Sequence, residues 1–355
     1  MYYLTMIIPV FNSDDCLDVA VSSVINQTIG FENIELIIVD DCSTDNTPNL
    51  IKDYEKRYPN IKGIFLDKNN GGAGIPRNIG IKDASSKYLM FMDADDEYEK
   101  DACEIFYNKI VETDADFVFS EWTFVAGDKT SETSHAFLKE TQEITFKNGE
   151  NIKEYYKYYR GGMCACIYNK EFIINNDIKC HKELGEDGYF TLTALFNAKK
   201  IVFIDYHGYY NKLRDSDEKK SVTNVRNEKM FRSRVNSIYL FNELLDRYGA
   251  GDKKYVLNRE INVLLYQVYT IMPSVSNEKR KEFFKEINKI EKELDIKKLD
   301  SSIFNILNYF VVKEHYIIAI LISRILGFVF SKPLLRNVLR KVTMWNHRFY
   351  DSVEI

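Results

Sequence analysis

The chain has 355 residues, of which 45% are hydrophobic, 14% aromatic and 28% charged. That composition excludes a disordered chain, a collagen and a small disulfide scaffold, and the length suffices for one large domain plus a smaller one. A formal net charge of -5 argues against a dedicated nucleic-acid binder, whose surface would be basic.

The elements follow in chain order. Leu4–Val10 is a short apolar run that predicts a buried strand. Asn12–Asp15 offers cap residues, and Leu17, Ala20, Val21, Val24 and Ile25 then recur at helical spacing. Glu35–Val39 predicts a second strand ending in Asp40-Asp41, and Thr47-Pro48 reads as an N-cap with proline at the first helical position. Ile61–Leu66 predicts a third strand, Ile75–Ala84 a helix after a glycine-rich loop, and Tyr88–Met92 a fourth strand that again ends in carboxylates. Strands alternating with helices imply a mainly parallel sheet covered on both faces. Ligands of such sheets gather beyond the carboxyl ends of the strands, which is where the polar clusters fall. Ala115–Trp122, Met163–Tyr168 and Ile201–Asp205 predict further strands, Thr130–Thr145 a loop or hairpin, and Thr191–Ala198 a helix. Beyond Asn224 the pattern turns helical, over about 226–248, 253–272, 277–294, 302–330 and 333–342, which sets a domain boundary near 223.

Four clusters could carry chemistry. Asp93-Ala94-Asp95-Asp96 delivers three carboxylates in four residues, which suits either a hard divalent cation or a solvated turn that caps the next helix. Asp40-Asp41 ends the second strand in the same way, to accept hydrogen bonds from a base or ribose, or to cap a helix. Asn69–Asn78 is a glycine-rich loop entering a helix, with Arg77 near any phosphate it would cradle; it lacks the GxGxxG and GxxxxGK[ST] spacings. Glu186-Asp187 precedes a helix, either complementing its dipole or supplying a general base. The five histidines are not clustered for zinc, and His207 reads as a surface residue that could approach a metal. The six cysteines form no CxxC pair, so reduced thiols and a cytoplasmic location are expected, and Met1–Val10 lacks the basic start of a signal peptide.

Taken together, MIIPVFN, IELIIVDDCSTDNT and NNGGAGIPRNIGIKDASSKYLMFMDADDEY resemble the nucleotide-sugar-binding half of family 2 glycosyltransferases of the GT-A fold. GEDGYF and YYNKLRDSDEKKSVTN look like that family's acceptor half. The resemblance covers about residues 4–224. It implies an α/β, Rossmann-like GT-A catalytic domain over 1–223, with a donor half (1–113) and an acceptor half (114–223), followed by a helical region over 224–355. It implies roles residue by residue. Pro9, Phe11 and Asn12 match the first nucleotide-contacting loop. Asp41 matches the carboxylate that reads uracil, supported by Asp40. Asp93-Ala94-Asp95 matches the DxD motif, with Asp95 as direct ligand of Mn2+ or Mg2+ and Asp93 on the ribose or on metal-bound water. Asp187 matches the catalytic base, and Arg77 lies near the sugar or diphosphate. Lys212 and Arg214 match, more loosely, basic residues of a mobile loop over the diphosphate. The implied reaction is metal-dependent, inverting transfer from a nucleotide-sugar, in this reading a UDP-sugar, to an acceptor hydroxyl. The product would be a cell-surface polysaccharide, a teichoic acid-like polymer or a glycolipid, and the acceptor a glycan or a lipid-linked one. The alternative is a catalytically silent sugar- or polymer-binding module on the same fold, against which the intact Asp95 and Asp187 argue. A QxxRW-like signature of processive members is not found, which favours single additions. A nucleotidyltransferase would want a lysine-bearing glycine loop near the first strand, which PVFNSDD does not supply.

The C-terminal third lies outside the resemblance. Tyr316–Phe330 is apolar but falls short of the ~18–20 residues that span a bilayer, so no transmembrane helix is expected. Between His315 and Tyr350 stand six basic residues (Arg324, Lys332, Arg336, Arg340, Lys341, Arg348) and no Asp or Glu. Three readings stand: contact with an anionic membrane surface, packing within the chain, or a homo-oligomer contact. The first would make the protein peripheral on the inner face of the cell membrane.

Overall fold

Strands β1 (Leu4–Val10), β2 (Ile34–Asp40), β3 (Ile61–Phe65) and β4 (Tyr88–Phe91) lie side by side in the order β3-β2-β1-β4, all parallel. Almost every residue of β1, β2 and β4 is buried, as a sheet covered on both faces requires. The side chains alternate between two cores. Leu4, Met6 and Ile8 of β1 and Leu36 and Ile38 of β2 pack with helices α1 (Leu17–Ile25), α2 (Thr47–Arg57) and α4 (Ala102–Thr113). Ile7, Ile37 and Val39 pack on the other face with α3 (Gly74–Asp83) and with α5 (Lys170–Asn175) and α6 (Glu186–Asn197).

The computed structural model describes residues 1–133, 138, 140–146, 158–159, 162–212, 228–249, 253, 256–258, 260–261, 263–265, 275–296 and 302–330. The chain divides into two compact units, Met1–Ser221 and Val222–Asp351.

In the first unit the sheet continues past β4 through β10 (Cys166–Asn169), β6 (Phe117–Ser120), β11 (Lys200–Ile204) and β9 (Gln142–Thr145). β10 runs antiparallel to both of its neighbours and β9 antiparallel to β11, whereas β11 and β6 are parallel. The sheet is therefore mixed, with the parallel pairings in the majority, as expected. A second sheet, in the order β5-β12-β7-β8, joins β5 (Glu97–Tyr98), β12 (Tyr209–Lys212), β7 (Thr123–Ala126) and β8 (Lys129–Glu132). Of the stretch read as a loop or hairpin, β8, paired with the preceding β7, occupies the start and β9 the end.

The second unit is helical, with α7 (Glu228–Arg247), α8 (Asn277–Glu293), α9 (Ser302–Val312) and α10 (Tyr316–Phe330). The single helix expected over 302–330 is two. Glu314 takes φ +60°, its N–H donates to the Val311 carbonyl and the His315 N–H to the Phe310 carbonyl. This left-handed stop closes α9 without a glycine. The helix expected over 253–272 lies partly, and that over 333–342 wholly, outside the described residues. Among the described residues no helix is long and apolar enough to cross a membrane.

Candidate active site

The parallel strands end in loops that are laced together. Pro9 lies within β1 and is buried, opposite Val39, rather than in the loop that follows. β4 ends at Phe91, paired with Ile7, so β1 has no ladder partner on that side at Pro9 and a residue without an N–H fits. Phe11 is exposed and Asn12 sits at φ +50°, a conformation that asparagine tolerates better than most residues. The Asn12 N–H donates to Ser43 Oγ at 2.8 Å, and its Oδ1 accepts from the Thr44 N–H at 2.8 Å. The expected side-chain cap of α1 is not formed; Cys16 occupies that position, and its backbone N–H donates to the Ser13 carbonyl.

Asp40 and Asp41 are both buried. Asp40 accepts from the Ser43 N–H at 3.2 Å, and burial pushes its carboxyl above the ordinary value despite that bond. Asp41 receives the glycine-rich loop. Its Oδ2 accepts from the Asn70 N–H at 2.9 Å, its Oδ1 from Asn70 Nδ2 at 2.6 Å, and its carbonyl from Asn69 Nδ2 at 3.1 Å. Asp41 thus ties β2 to the loop that feeds α3.

After β4 the chain makes a tight turn, with the Asp96 N–H donating to the Asp93 carbonyl. Asp93 and Asp95 are half-buried, and Ala94 and Asp96 are buried. Asp96 faces inward onto β12. It accepts from the Tyr209 hydroxyl at 2.5 Å, from Asn211 Nδ2 at 3.1 Å and from the Lys212 N–H at 2.8 Å. The Tyr209 hydroxyl in turn accepts from the Asp93 N–H at 3.3 Å. Sequence reasoning counted Asp96 only as one carboxylate of the turn and gave no role to Tyr209. Their pairing depends on β5 and β12, which are too short to read from pattern. Lys212, assigned by resemblance to a mobile loop, instead ends β12. The β5–β12 pairing brings Glu97 alongside it, and its ammonium pairs with Glu97 at 2.7 Å. Arg214 lies outside the described residues. His207 stands 3.6 Å from Glu132 of β8.

Arg77 joins the two halves. It lies in the first turns of α3 and is 3% exposed. One guanidinium nitrogen reaches Asp93 Oδ1 at 2.6 Å and the other Glu186 Oε1 at 2.9 Å. Burial alone would favour the neutral form, but these two carboxylates hold Arg77 firmly charged. Burial pushes Glu186 up to about 7; the Arg77 charge opposes this and the Asp187 charge adds to it. Glu186 and Asp187 occupy the first turn of α6, where the helix dipole favours carboxylates. Gly185 starts that turn at φ +87°, a backbone state that a side chain would strain. Asp187 Oδ1 accepts from the Gly188 N–H at 2.7 Å, and its carbonyl accepts from Thr191 Oγ1 at 3.0 Å. α3 must approach closely for this contact. A Cβ on Gly74 would lie 2.1 Å from the His181 carbonyl. An aromatic-walled pocket beside α6 is lined by Phe119, Trp122, Tyr158, Tyr159, Cys164 and Thr191, among others.

The turn's donor set is carboxylate oxygen. Burial first, then the charges of Asp93 and Asp95, push the Asp96 carboxyl well above its ordinary range, which favours its neutral form and leaves Asp93 and Asp95 as the half-buried carboxylates of the turn. Two carboxylates, with the shell completed by substrate phosphate and water, is how Mg2+ is commonly held. The residues fit such an ion. Among the described residues no group of three or more His, Cys, Asp or Glu is placed to hold a metal by itself.

Comparison with known proteins places this geometry. The family model described as "Glycosyl transferase family 2" matches residues 5–175, which include both strand-end clusters, Arg77 and the Asp93–Asp96 turn. Residues 5–175 belong to glycosyl transferase family 2. Over 337 residues it is 28% identical to the poly(ribitol-phosphate) beta-N-acetylglucosaminyltransferase TarP of Staphylococcus aureus, covering 91% of this chain and 99% of that protein. Over 223 residues it is 32% identical to a poly(ribitol-phosphate) beta-glucosyltransferase of Bacillus spizizenii, covering 60% of this chain. It spans about a third of the length of that second relative. A crystal structure of Staphylococcus aureus TarS in complex with UDP-GlcNAc matches with TM-score 0.65 at 21% identity, over 93% of this chain and 92% of that one. The shared fold is GT-A. Glu186 and Asp187 lie beyond the matched residues, on the helix that Arg77 draws toward the family core.

Proposed function

We propose that this family 2 glycosyltransferase moves a sugar from a UDP-sugar to a hydroxyl of a polyol-phosphate polymer or related cell-surface glycan, with inversion and with a divalent cation. The observation that carries this reading is the double ion pair of Arg77, which couples the donor-side Asp93 to the acceptor-side Glu186. One rigid guanidinium sets the distance between the carboxylates that flank a reacting centre. The names of the relatives support the polymer acceptor, and the UDP-GlcNAc in the TarS complex supports the donor class.

Asp95 and Asp93 would hold Mn2+ or Mg2+, which when bound supplies Lewis-acid stabilisation of charge on the departing diphosphate. The chain's own residues do the rest. Asp41, fixed by Asn70, and the loop after β1 would bind the nucleoside. Asp187 would accept the proton of the acceptor hydroxyl as its oxygen attacks the anomeric carbon, and the bond to the diphosphate breaks on the opposite side. The aromatic pocket beside α6 would pack the apolar face of the acceptor. Glu186 would hold Arg77, and through it Asp93, in place.

The test is transfer and thermal-shift assays over a panel of UDP-sugars with Mn2+ or Mg2+, using poly(ribitol phosphate) as acceptor. A donor at 100 times its dissociation constant should stabilise by about 2.7 kcal/mol. Asp187→Asn should keep that shift while transfer falls by about 10^2–10^4-fold. Asp95→Asn should lose the metal-dependent part of the shift. If no UDP-sugar is bound or turned over, the catalytic reading fails.

A further inference from the structure

Helix α10 is apolar on both sides. Tyr316, Ala319, Ser323 and Leu326 are buried within the helical unit. On the opposite side Ile317, Leu321 and Ile325 follow one another at i, i+4 and i+8, exposed by 83%, 59% and 55%, with Ile318 and Arg324 exposed beside them. Tyr309 and Val312 at the end of α9 are exposed as well. A helix that meets only water carries polar residues on that side; a row of large aliphatic side chains marks a surface that meets something apolar.

Charge indicates what it meets. Arg280 of α8 is 2% exposed, yet among the described residues it has one hydrogen bond, to Ser323 Oγ at 3.1 Å, and no carboxylate partner. Burial and then the neighbouring Arg324 charge weaken its hold on its proton. It also lies in the first turns of α8, at the positive end of that helix. From His315 to Tyr350 the sequence adds six basic residues and no acidic one, although the whole chain is net negative. The helical unit thus presents the aliphatic row with Arg324 exposed beside it on α10, and the buried Arg280 charge of α8 lies next to Arg324.

We propose that the outward face of α10 docks on an anionic lipid surface, with Ile317, Leu321 and Ile325 entering the boundary between headgroups and acyl chains and Arg324 pairing with lipid phosphate. A polyol-phosphate polymer would answer the charge but leave the aliphatic row in water. A second copy, or a later segment of this chain, would cover the row but bring further basic residues against Arg324. Only an anionic bilayer answers both features. The inference rests on the helical unit alone and is independent of the donor chemistry.

The experiment is flotation of the full chain with vesicles of phosphatidylglycerol and phosphatidylcholine, against vesicles of phosphatidylcholine alone. The expected result is binding to the anionic vesicles only, weakening as salt is raised. The double variant Ile317→Ser with Leu321→Ser should bind about tenfold more weakly or worse, and Arg324→Glu about fivefold more weakly. All these positions are exposed, and an unchanged melting temperature certifies each variant. Absence of flotation, or flotation indifferent to both variants, overturns the proposal. So does a wild-type dimer in light scattering that the double variant dissociates while no vesicle is bound, which assigns the row to a second copy. So does binding that poly(ribitol phosphate) competes away and that depends on Arg324 but not on the aliphatic pair.

Discussion

Arg77 and Arg280 are both arginines below 4% exposure, one in each unit. Arg77 spans two carboxylates from distant parts of the chain, while Arg280 meets a single serine hydroxyl among the described residues. The same side chain at the same burial therefore does two different things. Where the chain supplies the counter-charge, the charge fixes geometry, because a guanidinium fork donates in only a few directions. Where it does not, the charge is a cost that folding bears, and it leaves positive potential for a partner outside the unit.

The largest effect should come from breaking the compensated arginine. Arg77→Met strands Asp93 and Glu186 and should destabilise the first unit by about 3–5 kcal/mol, with transfer lost as well. Calorimetry of this variant against wild type resolves this, and a small shift would mean that the carboxylates relax into water. A smaller effect appears in pH. The folded state keeps a proton on Glu186 up to about 7, whereas the unfolded chain releases it near 4.5. Between those values the folded state binds more protons, so stability should fall as pH rises through that window. Glu186→Gln should flatten its share of the slope; parallel melting curves against pH in wild type and variant would contradict it. The smallest effect should come from the uncompensated arginine. Arg280→Met removes a poorly satisfied buried group and should leave the melting temperature unchanged or raise stability by about 1 kcal/mol. A clear loss would show that Arg280 is compensated after all.

The sequence made the parallel half legible because its strands are buried on both faces. Leu4–Val10 and Ile34–Asp40 are unbroken apolar runs, and the carboxylates that stop them mark the strand ends. The direction of β10 was not legible, since alternation reveals a strand and not its orientation. β5 and β12 are two and four residues long and meet through Tyr98 and Tyr209, far beyond any local signal. The break at Glu314 carries no glycine or proline. In the site, Asp41, Asp93, Asp95 and Asp187 stood out through residue type and resemblance. Asp96 looked like one more carboxylate of a solvated turn, and only the fold reveals that it is buried beneath Tyr209. Arg77 was legible as a cation near the loop but not as a bridge, because Glu186 is 109 residues away.

Apart from Arg77, the Asp93–Asp96 turn is held by partners that come late in the chain. Its backbone bonds to Tyr209, its inner carboxylate to Tyr209, Asn211 and Lys212, and Arg77 shares Asp93 with Glu186. A ribosome that has made only the first hundred residues has made β3-β2-β1-β4, Arg77 and every carboxylate of the turn, but neither β12 nor Glu186. The sheet can form from the emerging chain, whereas the site matures only once β12 has left the exit tunnel. Strand pairings across such separations form slowly. For an interval during each round of synthesis, then, the nascent protein carries a donor-side sheet without the geometry to act on a donor.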